Sequence, residues 1–135
     1  MAEASAVALL RPIRVLVAGD DAAVVNQLHR DLLRLGFHAM STTRMSCVAD
    51  LAAVERVNVV VLEISGGLGA AASLASSLEA LPHRTQVLFA GGPARAITKL
   101  GYARVDPAGS PEDLAAAVHD AYRGVPRRVG RASRA

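Results

Sequence analysis

The chain has 135 residues, which is enough for one domain with its own core and no metal or disulfide support. Its single cysteine, Cys47, excludes an intramolecular disulfide and any Cys-rich zinc site. Apolar residues make up 52% of the chain, but only four of its residues are aromatic. A core of Val, Leu, Ile and Ala is typical of parallel strands packed beneath helices.

The net charge of +3 is unevenly distributed along the chain. Residues 1–122 carry ten basic and twelve acidic side chains, whereas the segment 123–135 carries five arginines and no acid. The basic character therefore belongs to the end of the chain and not to the body that precedes it.

Neither a signal peptide nor a membrane-spanning helix is predicted. The N-terminus contains an acid, Glu3, and the apolar run at 5–10 is too short for a secretory signal. No window approaches the ~20 apolar residues of a spanning helix. We therefore expect a cytoplasmic protein with no membrane partner.

The first half of the chain alternates strands and helices. Short β-branched or continuous apolar runs predict strands, and apolar residues at helical spacing predict helices, in the order 13–18 (strand), 22–35 (helix), 37–42 (strand), 46–56 (helix) and 58–64 (strand). Asp20 or Asp21 can cap the first helix, which Gly36 ends. The run at 58–64 is the most continuously apolar and is typical of the centre of a parallel sheet.

The second half continues the same alternation. The predicted elements are a helix at 70–81, strands at 86–90 and 102–105 with a short helix at 94–100 between them, and a last helix over 111–122. Ser110 and Pro111 form a strong start signal for that last helix. Five β-α units predict a parallel sheet with helices on both faces. Ligands of such sheets bind at the carboxyl ends of the strands, which directs attention to the loops at 19–21, 63–69, 90–93 and 106–109.

Residues 12–122 resemble the receiver domain of two-component response regulators, the CheY-like fold. The resemblance rests on the order of the elements, on the acidic pair Asp20-Asp21 after the first strand, on Glu63 at the end of the third, and on Pro107 after the fifth. It implies a doubly wound, five-stranded parallel sheet of order 2-1-3-4-5. Residues 1–11 are then an N-terminal extension, and residues 123–135 are a basic flexible tail or a linker.

The positions that carry receiver chemistry are altered in this chain. The resemblance implies a magnesium-holding acid at Gly19, an aspartate phosphoacceptor at Glu63, a hydroxyl at Ala90 or Gly91, and a lysine at Asp106. Phosphoryl transfer depends on positioning and on neutralisation of charge. Glutamate places its carboxylate further out than aspartate, and Asp106 replaces a cation by an anion. We therefore expect a pseudo-receiver that has kept the fold and lost the phosphorylation chemistry.

Several interpretations of the acidic residues remain open. The carboxylate of Glu63 could mimic an aspartyl phosphate, or it could be a strand-end acid held by loop amides. Asp20, Asp21 and Glu63 could hold Mg²⁺, which would make the chain a weakly phosphorylatable, metal-binding receiver, or an aspartate of the pair could only cap the following helix. Asp106 could pair with Arg95 or Arg104. We otherwise expect no cofactor and no enzyme activity.

The resemblance also suggests how partners are bound. Receivers commonly bind partners through the face formed by the fourth helix, fifth strand and fifth helix, here residues 94–122. The partner would be an output domain, a histidine kinase or a second copy of the chain. Tyr102 resembles the aromatic switch that many receivers carry on the fifth strand, with a longer offset from Pro107 than is usual.

Two further features indicate alternative functions. The segment 67–72 fits the pattern G-x-G-x-x-A and suggests a small-ligand or nucleotide-binding module, although it follows the third strand and not the first. The basic tail could contact nucleic acid, but it has no aromatic residue to stack on bases. The four histidines have no acid–nucleophile partners in the sequence and are expected on the surface.

Overall fold

A computed structural model of the protein describes residues 12–65 and 67–124. The predicted N-terminal extension at 1–11 and residues 125–135 of the tail predicted at 123–135 lie outside the described residues. Arg123, which the prediction assigned to the tail, is the last residue of the last helix. The described strands are β1 (Arg14–Gly19), β2 (His38–Thr42), β3 (Val59–Glu63), β4 (Gln86–Ala90) and β5 (Ala103–Val105). The described helices are α1 (Ala22–Arg34), α2 (Val48–Val54), α3 (Leu68–Glu79), α4 (Ala94–Lys99) and α5 (Pro111–Arg123), with a 3-10 turn (Met45–Cys47) before α2.

The five strands form one parallel sheet in the order β2-β1-β3-β4-β5, which confirms the predicted fold class and strand order. β3 lies at the centre, and all five of its residues are buried, as its continuous apolar run predicts.

Alternate residues of the strands supply two separate cores. Val15 and Val17 of β1 face the layer of α1 and α5, whereas Leu16 and Ala18 face the layer of α2, α3 and α4. Burial of each Val or Leu side chain stabilises the fold by about 1.5–3 kcal/mol. The two-residue period of each strand thus fixes which of the two cores each side chain enters.

Two helices differ from their predicted bounds by more than one residue at each end. The α-helix predicted at 46–56 is shorter, because a 3-10 turn replaces its start and Arg56 adopts a left-handed φ of 51° just after its end. The helix predicted at 70–81 begins earlier, at Leu68, because Gly67 is extended and serves as its N-cap. It ends at Glu79, before the Leu81-Pro82 step that disfavours helix.

The capping predictions are confirmed at both ends of the domain. The carboxylate of Asp21 accepts hydrogen bonds from the amides of Ala23 and Val24, and the hydroxyl of Ser110 accepts one from the amide of Asp113. Within the described residues, no helix combines the length and the apolar character needed to cross a bilayer.

Candidate functional site

The carboxyl ends of four neighbouring strands bring the predicted site residues to one edge of the sheet. Gly19 of β1 is paired in register with Glu63 of β3, Glu63 with Ala90 of β4, and Ala90 with Val105 of β5. Asp106 follows directly. The loops that the sequence indicated therefore do meet at a single edge.

Glu63 is held by the backbone of the loop after β1. Its side chain is buried at 7% exposure, and its Oε1 accepts a hydrogen bond of 3.1 Å from the amide of Asp21. This geometry matches the interpretation of Glu63 as a strand-end acid held by a loop amide.

Gly19 provides the space for this arrangement. A Cβ placed on Gly19 would lie 2.6 Å from Cβ of Glu63 and 2.9 Å from its carbonyl oxygen, and it would also overlap Oε1. Contacts this short require the backbone to shift. The glycine at position 19 thus leaves room for Cβ, the carbonyl oxygen and the carboxylate of Glu63, its register partner on β3.

The two aspartates after β1 have different surroundings. Asp21 uses Oδ1 to cap α1, with hydrogen bonds of 3.1 and 3.3 Å from the amides of Ala23 and Val24. Asp20 is exposed and lines a surface cavity of about 410 Å³ together with Glu63 and the start of α3. No three His, Cys, Asp or Glu side chains of residues 12–65 and 67–124 lie together as a metal-binding group. Asp20, Asp21 and Glu63 therefore do not form the metal set that the sequence suggested.

At the end of β4, where the resemblance implies a side-chain hydroxyl, the chain has Ala90 and Gly91. Ala90 is fully buried, and Gly91 and Gly92 both adopt left-handed conformations, with φ of 81° and 80°. Nε of Arg104, on β5, donates to the carbonyl oxygens of Gly91 and Gly92 at 3.1 and 2.9 Å. An arginine thus braces this loop from the neighbouring strand. The consecutive glycines marked the turn in the sequence, but nothing in the sequence indicated the role of Arg104.

Asp106 stabilises its own turn. Its Oδ1 accepts a hydrogen bond of 2.9 Å from the amide of Ala108, and its carbonyl accepts one from Gly109. Within the described residues, Asp106 forms no ion pair with Arg95 or Arg104, the two partners that the sequence left open. Nε of Arg104 instead donates to the carbonyls of the preceding loop.

Tyr102 lies at the other end of β5 from the site. It precedes the first residue of the strand, stacks on Phe89 with ring centroids 5.2 Å apart, and donates its hydroxyl to Glu79 at 3.1 Å. These contacts attach the ring to β4 and to the end of α3. The ring therefore lies away from the edge of the sheet that carries Glu63 and Asp106.

The glycine motif at 67–72 forms the start of α3. Gly67 is extended, with φ of −72°, and Gly69 lies in the first turn of the helix. The motif borders the cavity that Asp20 and Glu63 line, so two carboxylates stand beside it. This surrounding favours a cation over a phosphate.

No family model matches this sequence, and no curated protein matches it. Solved structures do share its architecture. The receiver domain (CheY-like) from Methylobacillus flagellatus is 15% identical, with a TM-score of 0.69 over 82% of this chain and 98% of that one. The signal receiver domain of the putative response regulator NarL from Mycobacterium tuberculosis is 19% identical, with a TM-score of 0.67 over 84% and 98%.

One of the matching structures is a longer protein in which the same architecture makes up only part of the chain. NtrX from Brucella abortus is 12% identical, with a TM-score of 0.69, and the match covers 91% of this chain but 29% of that one. Together these similarities show that the chain has the receiver fold.

Proposed function

We propose that this protein is a receiver-like module of bacterial signal transduction that binds a protein partner without being phosphorylated. The observation that carries the proposal is the engagement of Glu63. Its carboxylate lies in the space above Gly19 and accepts a hydrogen bond from the amide of Asp21. The group at the phosphoacceptor position is thus part of the fold's own hydrogen bonding.

The charges at this edge support the same conclusion. Transfer of a phosphoryl group to a carboxylate depends on precise positioning and on cations that neutralise the developing charge. Asp106 brings a carboxylate to the position where receivers carry lysine, and Ala90 and Gly91 offer no side-chain hydroxyl. A phosphate at Glu63 would be repelled by the carboxylates of Asp20 and Asp106. No side-chain hydroxyl at Ala90 or Gly91 would hydrogen-bond to it and couple its presence to the rest of the domain.

The proposed partner surface is the face of α4, β5 and α5, residues 94–122. A surface cavity of about 910 Å³ lies along α4, lined by Ala94, Arg95, Thr98 and Lys99, and Leu100 is 46% exposed beside it. Single exposed apolar residues are common on protein surfaces, so the choice of this face rests on the resemblance to receivers, which commonly bind partners there. An output domain, a histidine kinase or a second copy of the chain would fit this proposal, in the cytoplasm and with no enzyme activity.

The alternative of a nucleotide bound at the 67–72 loop is less favourable electrostatically. Asp20 and Glu63 line the adjoining cavity and would repel a phosphate. A thermal-shift panel of nucleotides tests this alternative, and stabilisation by any of them would restore it.

The test of the main proposal is addition of beryllofluoride with Mg²⁺ while backbone amide NMR signals are recorded. We expect no shifts at 63–69 or 90–93, because Glu63 is already engaged and the supporting groups are absent. A double variant, Glu63→Asp with Asp106→Lys, restores an acceptor and a cation and serves as the control expected to respond. Shifts in the unmodified protein would instead support a weakly active, metal-dependent receiver.

A further inference from the structure

A basic groove crosses the amino-terminal edge of the sheet, opposite the edge that carries Glu63. Two adjoining surface cavities of about 440 and about 420 Å³ share Arg56, Asn58 and Tyr122 as lining residues. Arg14, the first residue of β1, lines one cavity, and Arg84, which precedes β4, lines the other.

The described side chains that line this groove carry positive charge and no negative charge. Its described lining residues include three arginines and the two histidines His38 and His83, and no acid is among them. Residues 12–124 as a whole carry ten basic and eleven acidic side chains, so the positive charge is a local concentration. Within the described residues, no acidic side chain forms an ion pair with Arg14, Arg56 or Arg84. Nη1 of Arg14 donates to the carbonyl oxygen of Glu55 at 2.8 Å, a neutral partner that leaves the charge of the guanidinium uncompensated. The three positive charges can therefore attract an anion from outside.

Arg56 occupies a backbone position that suits glycine better. It follows the last turn of α2 with φ of 51°, a left-handed conformation that residues with a Cβ adopt at a cost. A glycine here would relieve that cost and would remove the charge. The substitution Arg56→Gly therefore tests the groove without endangering the fold.

Tyr122 adds an aromatic surface to the groove. It lines both cavities, and its side chain is 48% exposed on the last full turn of α5. A half-exposed aromatic ring among arginines is the arrangement with which proteins bind single-stranded nucleic acid, since bases stack on the ring and phosphates meet the cations.

The chain continues from this groove into its most basic segment. Gly124 ends α5 against Arg84, since a Cβ on Gly124 would lie 3.0 Å from Nη2 of that arginine. The segment that follows carries four more arginines in sequence: Arg127, Arg128, Arg131 and Arg134. A partner with many phosphates suits this continuity better than a single small anion.

We propose that this groove binds single-stranded nucleic acid, with phosphates held by Arg14, Arg56 and Arg84 and a base stacked on Tyr122. The proposal is independent of the function proposed for the opposite edge. It assigns nucleic-acid contact to the folded body and not to the tail alone.

The first test uses the full chain and a fluorescein-labelled oligothymidylate of twelve nucleotides, followed by fluorescence anisotropy at several salt concentrations. We expect Arg56→Gly with Arg84→Gln to raise Kd about tenfold. The slope of log K against log salt should fall by about 1.4, because each phosphate that an arginine neutralises on a single strand accounts for about 0.7 of that slope. The matched control is Arg30→Gln with Arg44→Gln, which removes the same charge from two exposed positions outside the groove and outside the proposed partner surface. It should change Kd about twofold or less.

The second test separates base stacking from charge alone. Tyr122→Ala should weaken binding about tenfold, Tyr122→Phe should leave it nearly unchanged, and an abasic oligonucleotide of equal length should bind the unmodified protein about tenfold more weakly. Absence of binding at low salt would overturn the proposal. Equal weakening of binding in the groove variant and its control would also overturn it. Unchanged binding in the groove variant would show contact through the tail alone and would overturn it too. Equal binding of the abasic strand would show a general polyanion surface and would likewise overturn the proposal.

Discussion

The carboxylate of Glu63 lies over Gly19, its register partner on the neighbouring strand, in the space that a side chain at position 19 would need. From there Oε1 reaches the amide of Asp21. The glycine at the end of β1 and the position of Glu63 at the end of β3 are therefore linked, because a side chain at position 19 would overlap Cβ, the carbonyl oxygen and Oε1 of Glu63. A site built in this way stabilises the loop before α1 and leaves the carboxylate engaged.

Gly19→Ala should destabilise the protein. The added methyl group would lie 2.6 Å from Cβ of Glu63 and 2.9 Å from its carbonyl oxygen, so the backbone has to move. We expect the free energy of unfolding to fall by about 2 kcal/mol, as for other overpacked sites. Urea denaturation followed by circular dichroism measures this change.

The control for that experiment is the same substitution at Gly69. This glycine lies in the first turn of α3, and a Cβ there would meet nothing within 4 Å. Gly69→Ala should raise the free energy of unfolding by about 0.5–1 kcal/mol, through the better helix propensity of alanine. A loss of stability at Gly69 equal to that at Gly19 would contradict the packing argument.

Glu63→Ala should release the loop after β1. The amide of Asp21 loses its acceptor, which costs about 1 kcal/mol and should speed hydrogen exchange at that amide. Glu63→Gln retains an oxygen acceptor and should have a smaller effect on both measurements.

The same Glu63→Gln variant tests whether the carboxylate mimics a phosphate. If its charge held the partner face in an activated form, removal of the charge would shift the amide NMR signals of residues 94–122. We expect shifts confined to the loops around 19–21 and 63–69, because the Glu63 carboxylate accepts its hydrogen bond from Asp21, on the side of the site away from β5.

The parts of this structure that were predictable are those that depend on hydrophobic period and on capping chemistry. Alternation of apolar runs located every strand of the sheet, and the resemblance supplied their order. The roles of Gly19 and Arg104 were not predictable, because they depend on how a side chain from one strand meets the backbone of another. Periodicity assigns a residue to a face of the sheet, but it does not describe the path of a flexible side chain at the sheet edge.

The contacts of Tyr102 were likewise not predictable from hydrophobic periodicity. Its position near β5 suggested a switch, whereas the structure packs it against Phe89 and Glu79 at the far end of the strand. Tyr102→Ala should lower the free energy of unfolding by about 3 kcal/mol through loss of the packed ring, and Tyr102→Phe by about 1 kcal/mol or less through loss of the hydroxyl. Thermal unfolding of both variants measures the difference. Equal effects would contradict a packing role for the ring.

Arg104→Gln should loosen the glycine loop after β4. Nε of Arg104 donates to the carbonyls of Gly91 and Gly92, and both glycines adopt left-handed conformations. The amide of Gly91 also donates to the carbonyl of Val105, so the loop would keep that hydrogen bond in the variant. We expect a loss of about 1 kcal/mol in the free energy of unfolding and lower amide order parameters at Gly91 and Gly92. Arg95→Gln removes the same charge from exposed α4 and should change neither measurement. If Arg95→Gln lowered the order parameters of the glycines as much as Arg104→Gln, net charge and not the hydrogen bonds of Arg104 would be holding this loop.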